Sequence, residues 1–191
     1  GVSWGASRAD ITIKRAPLGL KVNFTLDATL KNSQPALEGN LYFNRDIKTT
    51  SGIVSFEKIN TQALSQEISR AALFRLIDTD LSGTIKFTVD LDGNIKTKEI
   101  SLTGGPGHLN IPSNNTVPVH FQHIDFNGHS TKNVDQLKIE RLDITLPHST
   151  IYLKGAATRI GDSTALNTTV SFKELPINEL KTYWLPALAP K

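Results

Sequence analysis

The sequence contains no cysteine and no methionine, and both absences restrict what the protein can be. Without cysteine there is no disulfide framework and no thiol nucleophile, and a small secreted eukaryotic domain is disfavoured. The cytosol and the bacterial periplasm are left as expected compartments. Because the chain starts at Gly1 and lacks methionine, we expect an excised piece of a longer protein or a mature product.

Long hydrophobic runs and clustered charges are also missing. No apolar run approaches the roughly 20 residues that a membrane span requires. The 21 Lys and Arg residues are interspersed with 18 Asp and Glu residues, which leaves a net charge of +3. No basic cluster with interleaved aromatic residues is present, so nucleic-acid binding is not expected. The 38% of hydrophobic residues nevertheless indicates a globular chain.

The residues that could carry chemistry do not form a recognisable catalytic or metal-binding pattern. His120, His123 and His129 lie near Asp125, but on one regular strand His120 and His123 would face opposite sides. A metal site is therefore not expected. The glycines of Gly104–Gly107 lack the Lys-Ser/Thr and the following helix of a phosphate loop. We expect no catalytic residues, no cofactor and no enzymatic activity.

What the sequence does contain is a series of strands with one apolar and one polar side. Lys21–Leu30 alternates without an error, and Gly83–Leu91 repeats the pattern. Asp92-Gly93 predicts a tight turn after the second of these strands. The even, turn-punctuated spacing favours an antiparallel meander. Further strands are predicted at Asp10–Lys14, Leu37–Phe43, Gly52–Ile59, Ile95–Leu102, Val117–Phe126, Val134–Leu146, Ser149–Gly155 and Ala165–Leu175.

Two helices and one β-bulge complete the predicted elements. A long helix over about Thr61–Ile77, capped by Asn60 or Thr61, should turn Leu64, Ile68 and Ala72 towards the sheet. A short helix is predicted over Ile177–Trp184, just after Pro176. Between Leu137 and Leu146 the apolar parity switches, which a bulge near Glu140-Arg141 would explain.

A strand-to-helix junction occurs twice. Val54–Leu64 reads VSFEKINTQAL and Val170–Leu180 reads VSFKELPINEL, an offset of 116 residues between positions 54 and 170. The repeat predicts two β units, residues 1–78 and 79–191, each closed by a helix within one continuous piece of a longer array. Chance similarity of two amphipathic junctions is the alternative, because only four positions of the aligned core are identical.

Several stretches of Gly83–Lys191, taken in their order, resemble AsmA-like envelope proteins of the YhdP-like branch. They are GTIKFTVDLDG, ISLTGGPGHLNIP, the VPV strand start at Val117–Val119, LKIERLDITLPHSTIYLKG and VSFKELPINELKTYWLPALAPK. The family's pattern has a Trp-Pro helix before an Ala/Pro-rich connector, and here Leu185 stands between Trp184 and Pro186. The N-terminal half is similar through its alternating strands and the VSFEKI repeat.

The resemblance implies a periplasmic fragment of a protein that is anchored to the inner membrane and resembles bridge-like lipid transfer proteins. Such repeats form an elongated, curved, groove-like antiparallel sheet along which phospholipid could move towards the outer membrane. The implied partners are phospholipid, or another acyl-chain ligand, and neighbouring repeats of the same chain. Family members carry no catalytic residues, so none transfer to this sequence.

The apolar strand faces supply the candidate lining of this groove. Five apolar residues on Val22–Leu30 would each gain about 1.5–3 kcal/mol on burial, so a second sheet, the Thr61–Ile77 helix or a hydrophobic ligand must cover them. An envelope β-sandwich that binds or scaffolds other proteins is the alternative to a lipid groove. The groove candidates are Val22, Phe24, Leu26, Leu30, Ile85, Phe87, Val89, Leu91, Val119, Phe121, Leu142 and Ile144.

Overall fold

The structure is a computed structural model that describes residues 5–29, 34–67, 76–110, 118–131, 136–160, 163–174 and 176. These residues form one short helix, α1 (Thr61–Glu67), and thirteen strands. The strands are β1 (Gly5–Ala16), β2 (Gly19–Thr29), β3 (Ala36–Asn44), β4 (Thr49–Asn60), β5 (Ile77–Asp78), β6 (Asp80–Asp90), β7 (Ile95–Gly104), β8 (Gly107–Leu109), β9 (Val119–Phe121), β10 (His123–Thr131), β11 (Gln136–Thr145), β12 (Thr150–Ile160) and β13 (Ser163–Lys173).

Ten of the strands form a single antiparallel sheet. Their order is β1-β2-β3-β4-β6-β7-β10-β11-β12-β13, so nearly every strand pairs with its neighbour in the sequence. The sheet is curved and open, and it does not close into a barrel. The mainly β, antiparallel architecture expected from strand alternation is therefore confirmed, and so is the curvature of the sheet that the resemblance implies. The sheet also runs from β4 to β6 across the predicted boundary between residues 78 and 79.

Cross-strand pairing joins the apolar residues of all ten strands into continuous rows on one face of the sheet. Directly opposed residues of an antiparallel pair point to the same side, so the register identifies the members of each row. What we call the first row consists of Ile11, Phe24, Gly39, Val54, Ile85, Ile100, Gly128, Ile139, Gly155 and Thr168. The second row consists of Ala9, Leu26, Leu37, Phe56, Gly83, Leu102, Phe126, Leu142, Leu153 and Val170. All members of the second row are apolar or glycine, and we call this side of the sheet the apolar face.

The opposite side carries hydroxyl groups and ion pairs. The hydroxyls of Ser51 and Thr88 lie 3.3 Å apart across β4 and β6, and those of Ser55 and Thr84 are equally close. Next to them, Lys86 Nζ lies 3.4 Å from Glu99 Oε2. Such pairs stay exposed to water at little cost, so this side is the solvated face of the sheet.

One end of the apolar face is covered by a small module, which we call the cap: α1 with the three-stranded sheet β5-β8-β9. Asn60 caps α1, because its Oδ1 accepts a hydrogen bond from the Ala63 N–H at 3.1 Å. The main buried cluster lies between the cap and the sheet and consists of Leu81, Val119, Phe121, Ile124 and Leu146. A second cluster, Ile59 with Ala63, fixes α1 to β4.

The predicted long helix is correct at its start and wrong at its end. It begins at Thr61, but Ile77 belongs to strand β5, where it pairs with Leu109. The intervening residues 68–75, which include the predicted inward positions Ile68 and Ala72, lie outside the described residues. The predicted short helix over Ile177–Trp184 lies outside them as well.

The segment Val117–Phe126 is not one strand, as predicted, but two strands in different sheets. Val119–Phe121 belongs to the cap and His123–Thr131 to the large sheet, with a break at Gln122. The predicted bulge of β11 is confirmed, since the register with β12 shifts between Ile139 and Leu142.

The two VSF stretches share a backbone conformation and a face of the sheet but differ in burial. Phe56 and Phe172 both point to the apolar face, as their partners Gly83 and Ile151 show. Two residues after each Phe, Lys58 and Glu174 have positive φ values of 55° and 59°. Phe56 packs against both buried clusters, whereas Phe172 is 40% exposed, since within the described residues β13 has a neighbour on one side only. The agreement in backbone conformation favours the repeat and the difference in burial counts against it, so the repeat stays a prediction.

Candidate functional site

The apolar face is the candidate site, and it contains eight of the twelve predicted groove residues. Val22, Phe24 and Leu26 reach it from β2, Ile85, Phe87 and Val89 from β6, and Leu142 and Ile144 from β11. Each of the eight side chains is half-buried. The alternation of side chains along each strand determines which residues point to the apolar face. The pairing of the strands then places the apolar residues of different strands side by side.

Of the remaining four predicted residues, the three that the structure describes do not lie on the open part of this face. Val119 and Phe121 are buried in the cap, with Phe121 only 2% exposed. Leu91 follows the last residue of β6 and is 62% exposed in the hairpin turn, so its predicted place in the strand is wrong. Leu30 lies outside the described residues. The assignments of Val119, Phe121 and Leu91 to the groove are therefore corrected.

The cap divides the apolar face into a covered part and an open part. Leu142 and Ile144 pack against the cluster beneath the cap together with Phe56 and Leu102. Phe24, Ile85 and Phe87 belong to neither buried cluster and stay half-buried. Half-burial is what neighbouring side chains on the same face of a single sheet provide. The open part thus keeps apolar surface exposed to whatever lies against it.

Glycines on this face let large side chains lie across the neighbouring strand. A Cβ atom on Gly39 would come within 2.2 Å of Phe24 Cζ, so the ring end occupies that space. Gly52 is covered in the same way by Leu41 and by the ring of Phe87. The rings fill the gaps that the glycines leave, which makes the open part a low-relief apolar surface.

The apolar face reaches both edges of the sheet. On β1, Ile11 and Ile13 are 61% and 65% exposed, and on β13 Leu166 is 65% exposed. Within the described part of the chain no strand pairs with the outer side of β1 or β13. Both edges therefore combine unpaired backbone groups with apolar side chains.

Charges are distributed unequally between the two faces. The pairing pattern places every described carboxylate of the ten-stranded sheet on the solvated face or in its turns. In the hairpin between β6 and β7, the ammonium of Lys96 and the backbone of Asn94 lower the pKa of Asp90 to about 2. On β11, the hydrogen bond and charge of Asp143 raise the pKa of Arg141. Both contacts stabilise the solvated side.

The histidines do not converge on a metal site. His120 and His123 lie in different sheets, so the reasoning that placed them on one strand is corrected. His120 instead contacts His108 across β8 and β9, with ring centroids 4.2 Å apart. No group of three or more His, Cys, Asp or Glu side chains suited to a metal occurs among the described residues. None of the described helices is long and apolar enough to cross a membrane.

Sequence reasoning missed about half of the apolar face, although the signal was present. Leu41, Val54, Ile100, Phe126 and Leu153 lie in the same rows or next to them and follow the same period of two. The glycines inside strands also carried a signal, because an isolated Gly in a strand pattern often marks a close approach of another group.

Comparison of the chain with protein-family models, with curated proteins and with solved structures finds no match.

Proposed function

We propose that the chain is a non-enzymatic β-groove module that holds the acyl chains of phospholipids along its apolar face. In this proposal the module is part of a periplasmic AsmA-like protein that is anchored to the inner membrane. That protein moves phospholipid towards the outer membrane and so maintains the integrity of the outer membrane. The observation that carries the proposal is the second row, in which all ten strands contribute an apolar residue or glycine.

The dimensions and energetics of the face suit an acyl chain. Ten strands at a spacing of about 4.8 Å give an apolar surface about 43 Å wide across the strands. An acyl chain gains about 0.8 kcal/mol for each methylene that leaves water, so partial contact with this surface already gives measurable binding.

The open edges fit a module that continues into neighbouring repeats. Rows that end in exposed residues such as Ile11 and Val170 would be prolonged by a further strand on either side. Neighbouring repeats of the same chain are therefore the expected partners at both edges, and the resemblance to AsmA-like proteins supports this arrangement.

A pair of charge substitutions tests the proposal. Ile85 lies in the first row between Val54 and Ile100, whereas Ser101 lies on β7 and is exposed on the solvated face. We expect Ile85→Asp to reduce binding of a fluorescent phospholipid strongly, because a carboxylate then lies where the acyl chain of the phospholipid would contact the sheet. Ser101→Asp should bind as wild type does. Circular dichroism verifies that both variants are folded, and native mass spectrometry of the wild type should show co-purified lipid.

Two outcomes would contradict the proposal. A folded Ile85→Asp variant that binds lipid as well as wild type would exclude this face as the groove. An unfolded Ile85→Asp variant, together with a wild type that binds no lipid, would place Ile85 in a closed core. An envelope domain that scaffolds other proteins would then be the better interpretation.

A further inference from the structure

The apolar face carries one charged side chain in its interior, Lys98 on β7. Its partners across the sheet are Phe87 on one side and Ser130 on the other, and Ile100 follows it on the same face of the strand. The side chain is half-buried, and Ser130 is only 5% exposed. A lysine at this position interrupts a row that otherwise runs through Val22, Leu41, Gly52 and Phe87.

Lys98 has no anionic partner in the described part of the chain. The adjacent residue Glu99 points to the other face and lies 3.4 Å from Lys86. The other nearby cation, Lys96, is paired with Asp90 at 2.8 Å. The only other described charged side chain on the apolar face is that of Arg15, on the edge strand β1, which is also a cation.

Lys98 lies among apolar side chains without a counter-ion among the described residues, and an anion that reached its ammonium would form a charge-assisted hydrogen bond. A purely structural lysine would be expected to extend its stem over apolar neighbours and keep its ammonium in water. Such a role does not account for the absence of carboxylates among the described residues of this face. A ligand that lies on the apolar rows and carries an anionic head matches both features, since its chain covers the apolar residues and its head meets the cation.

We propose that Lys98 binds the anionic headgroup, a phosphate or a carboxylate, of an amphiphile whose acyl chain lies on the first and second rows. The proposal rests on the proposed function and adds to it a position and a charge preference for the bound lipid. Lys98 lies opposite Phe87 on the neighbouring strand. From this position the acyl chain of the amphiphile extends over the open part of the apolar face towards the cap.

Two amphiphiles with the same chain separate this site from apolar binding alone. Dodecyl phosphate and dodecyl maltoside, each below its critical micelle concentration, are titrated into the wild-type chain by calorimetry. Lys98→Gln should weaken dodecyl phosphate about tenfold, the size expected for a charged hydrogen bond in a partly exposed site, and leave dodecyl maltoside unchanged. Lys98→Arg should retain most of the affinity.

Lys86→Gln is the matched control, because Lys86 lies on the neighbouring strand with the same charge but on the solvated face. It should change neither affinity. Inorganic phosphate alone should not bind measurably, because one exposed cation without the chain contact is a weak site.

The outcomes distinguish the two proposals. If wild type binds neither amphiphile, the groove itself is refuted, and the headgroup site is refuted with it. If both amphiphiles bind but Lys98→Gln and Lys86→Gln weaken dodecyl phosphate equally, only net charge matters and the Lys98 site alone is refuted. If Lys98→Gln lowers the affinity for both amphiphiles equally, the lysine stem merely packs on the dodecyl chain. This outcome also overturns the proposal.

Discussion

At the scale of single residues, the glycines of the apolar face are as informative as its large side chains. Gly83 lies in the second row between Phe56 and Leu102. A Cβ there would come within 2.3 Å of the Ser101 carbonyl oxygen, which is a backbone atom. At Gly39 the obstacle is instead the end of the Phe24 ring, which can rotate away. The two glycines therefore permit the same close approach for different reasons.

This difference predicts unequal costs for the same substitution. Gly83→Ala should lower the free energy of unfolding by about 1–3 kcal/mol, because β6 and β7 must move apart. Gly39→Ala should cost less, since only the Phe24 side chain has to move. Urea denaturation followed by circular dichroism measures both values. Equal costs, or a larger cost at Gly39, would contradict the assignment of a backbone contact at Gly83.

At the scale of elements, a buried hydroxyl takes part in the junction that holds the cap together. Thr61 is fully buried at the start of α1, and its Oγ1 donates to the Ile77 carbonyl oxygen at 2.6 Å. The Oγ1 atom of Thr61 also accepts a hydrogen bond from the Thr79 N–H at 3.1 Å. Through this group the helix is joined to the chain around β5, at the point where the cap meets the sheet.

Removal of this hydroxyl should weaken the cap. Thr61→Val keeps the shape of the side chain but leaves the Thr79 N–H without its acceptor, at a cost of about 1–3 kcal/mol. Thr61→Ser retains the hydroxyl and should cost less. Hydrogen exchange should show faster exchange at Thr79 in the valine variant, while exchange in β2 and β3 remains unchanged. Unchanged protection at Thr79 would show that the hydroxyl does not stabilise the cap.

The strands of the large sheet could be predicted from the sequence because their information is local. The alternation over Lys21–Thr29, the Asp92-Gly93 turn and the bulge near Glu140-Arg141 each depend on neighbouring residues, and each has the expected place in the structure. The same holds for the face to which Phe24 and Ile85 point, since the period of two determines it.

The cap could not be predicted in the same way because its contacts are distant in sequence. Ile77 ends in a strand since it pairs with Leu109, 32 positions further along the chain, and helical periodicity carries no information about that partner. One error was avoidable. The apolar parity changes between Phe121 and Ile124, just as it does at the bulge of β11, and here the change marks the passage of the chain from the cap to the large sheet.

At the scale of the whole molecule, the sheet is a continuous surface with two ends. The rows extend to β1 and β13, and large apolar residues are exposed on both strands. Long edge strands with exposed apolar side chains pair readily with other strands. Because β1 and β13 lie at opposite ends of the described sheet, pairing between them would be head-to-tail, which builds rings or open filaments instead of two-fold dimers.

We therefore expect the isolated chain to self-associate with rising concentration, with β13 of one copy adding to β1 of the next. Ile13→Lys on β1 and Val170→Lys on β13 should each suppress association, because either substitution places a charge in the new strand pair. Ile53→Lys is the control, since Ile53 is 43% exposed but lies on the solvated face of the interior strand β4. Sedimentation velocity measures the distribution of species. If Ile13→Lys abolishes association and Val170→Lys leaves it intact, two β1 edges pair with each other and the assembly stops at a dimer. A wild-type chain that stays monomeric at high concentration would show that the edges are protected, and the extension of the rows into neighbouring repeats would lose its support.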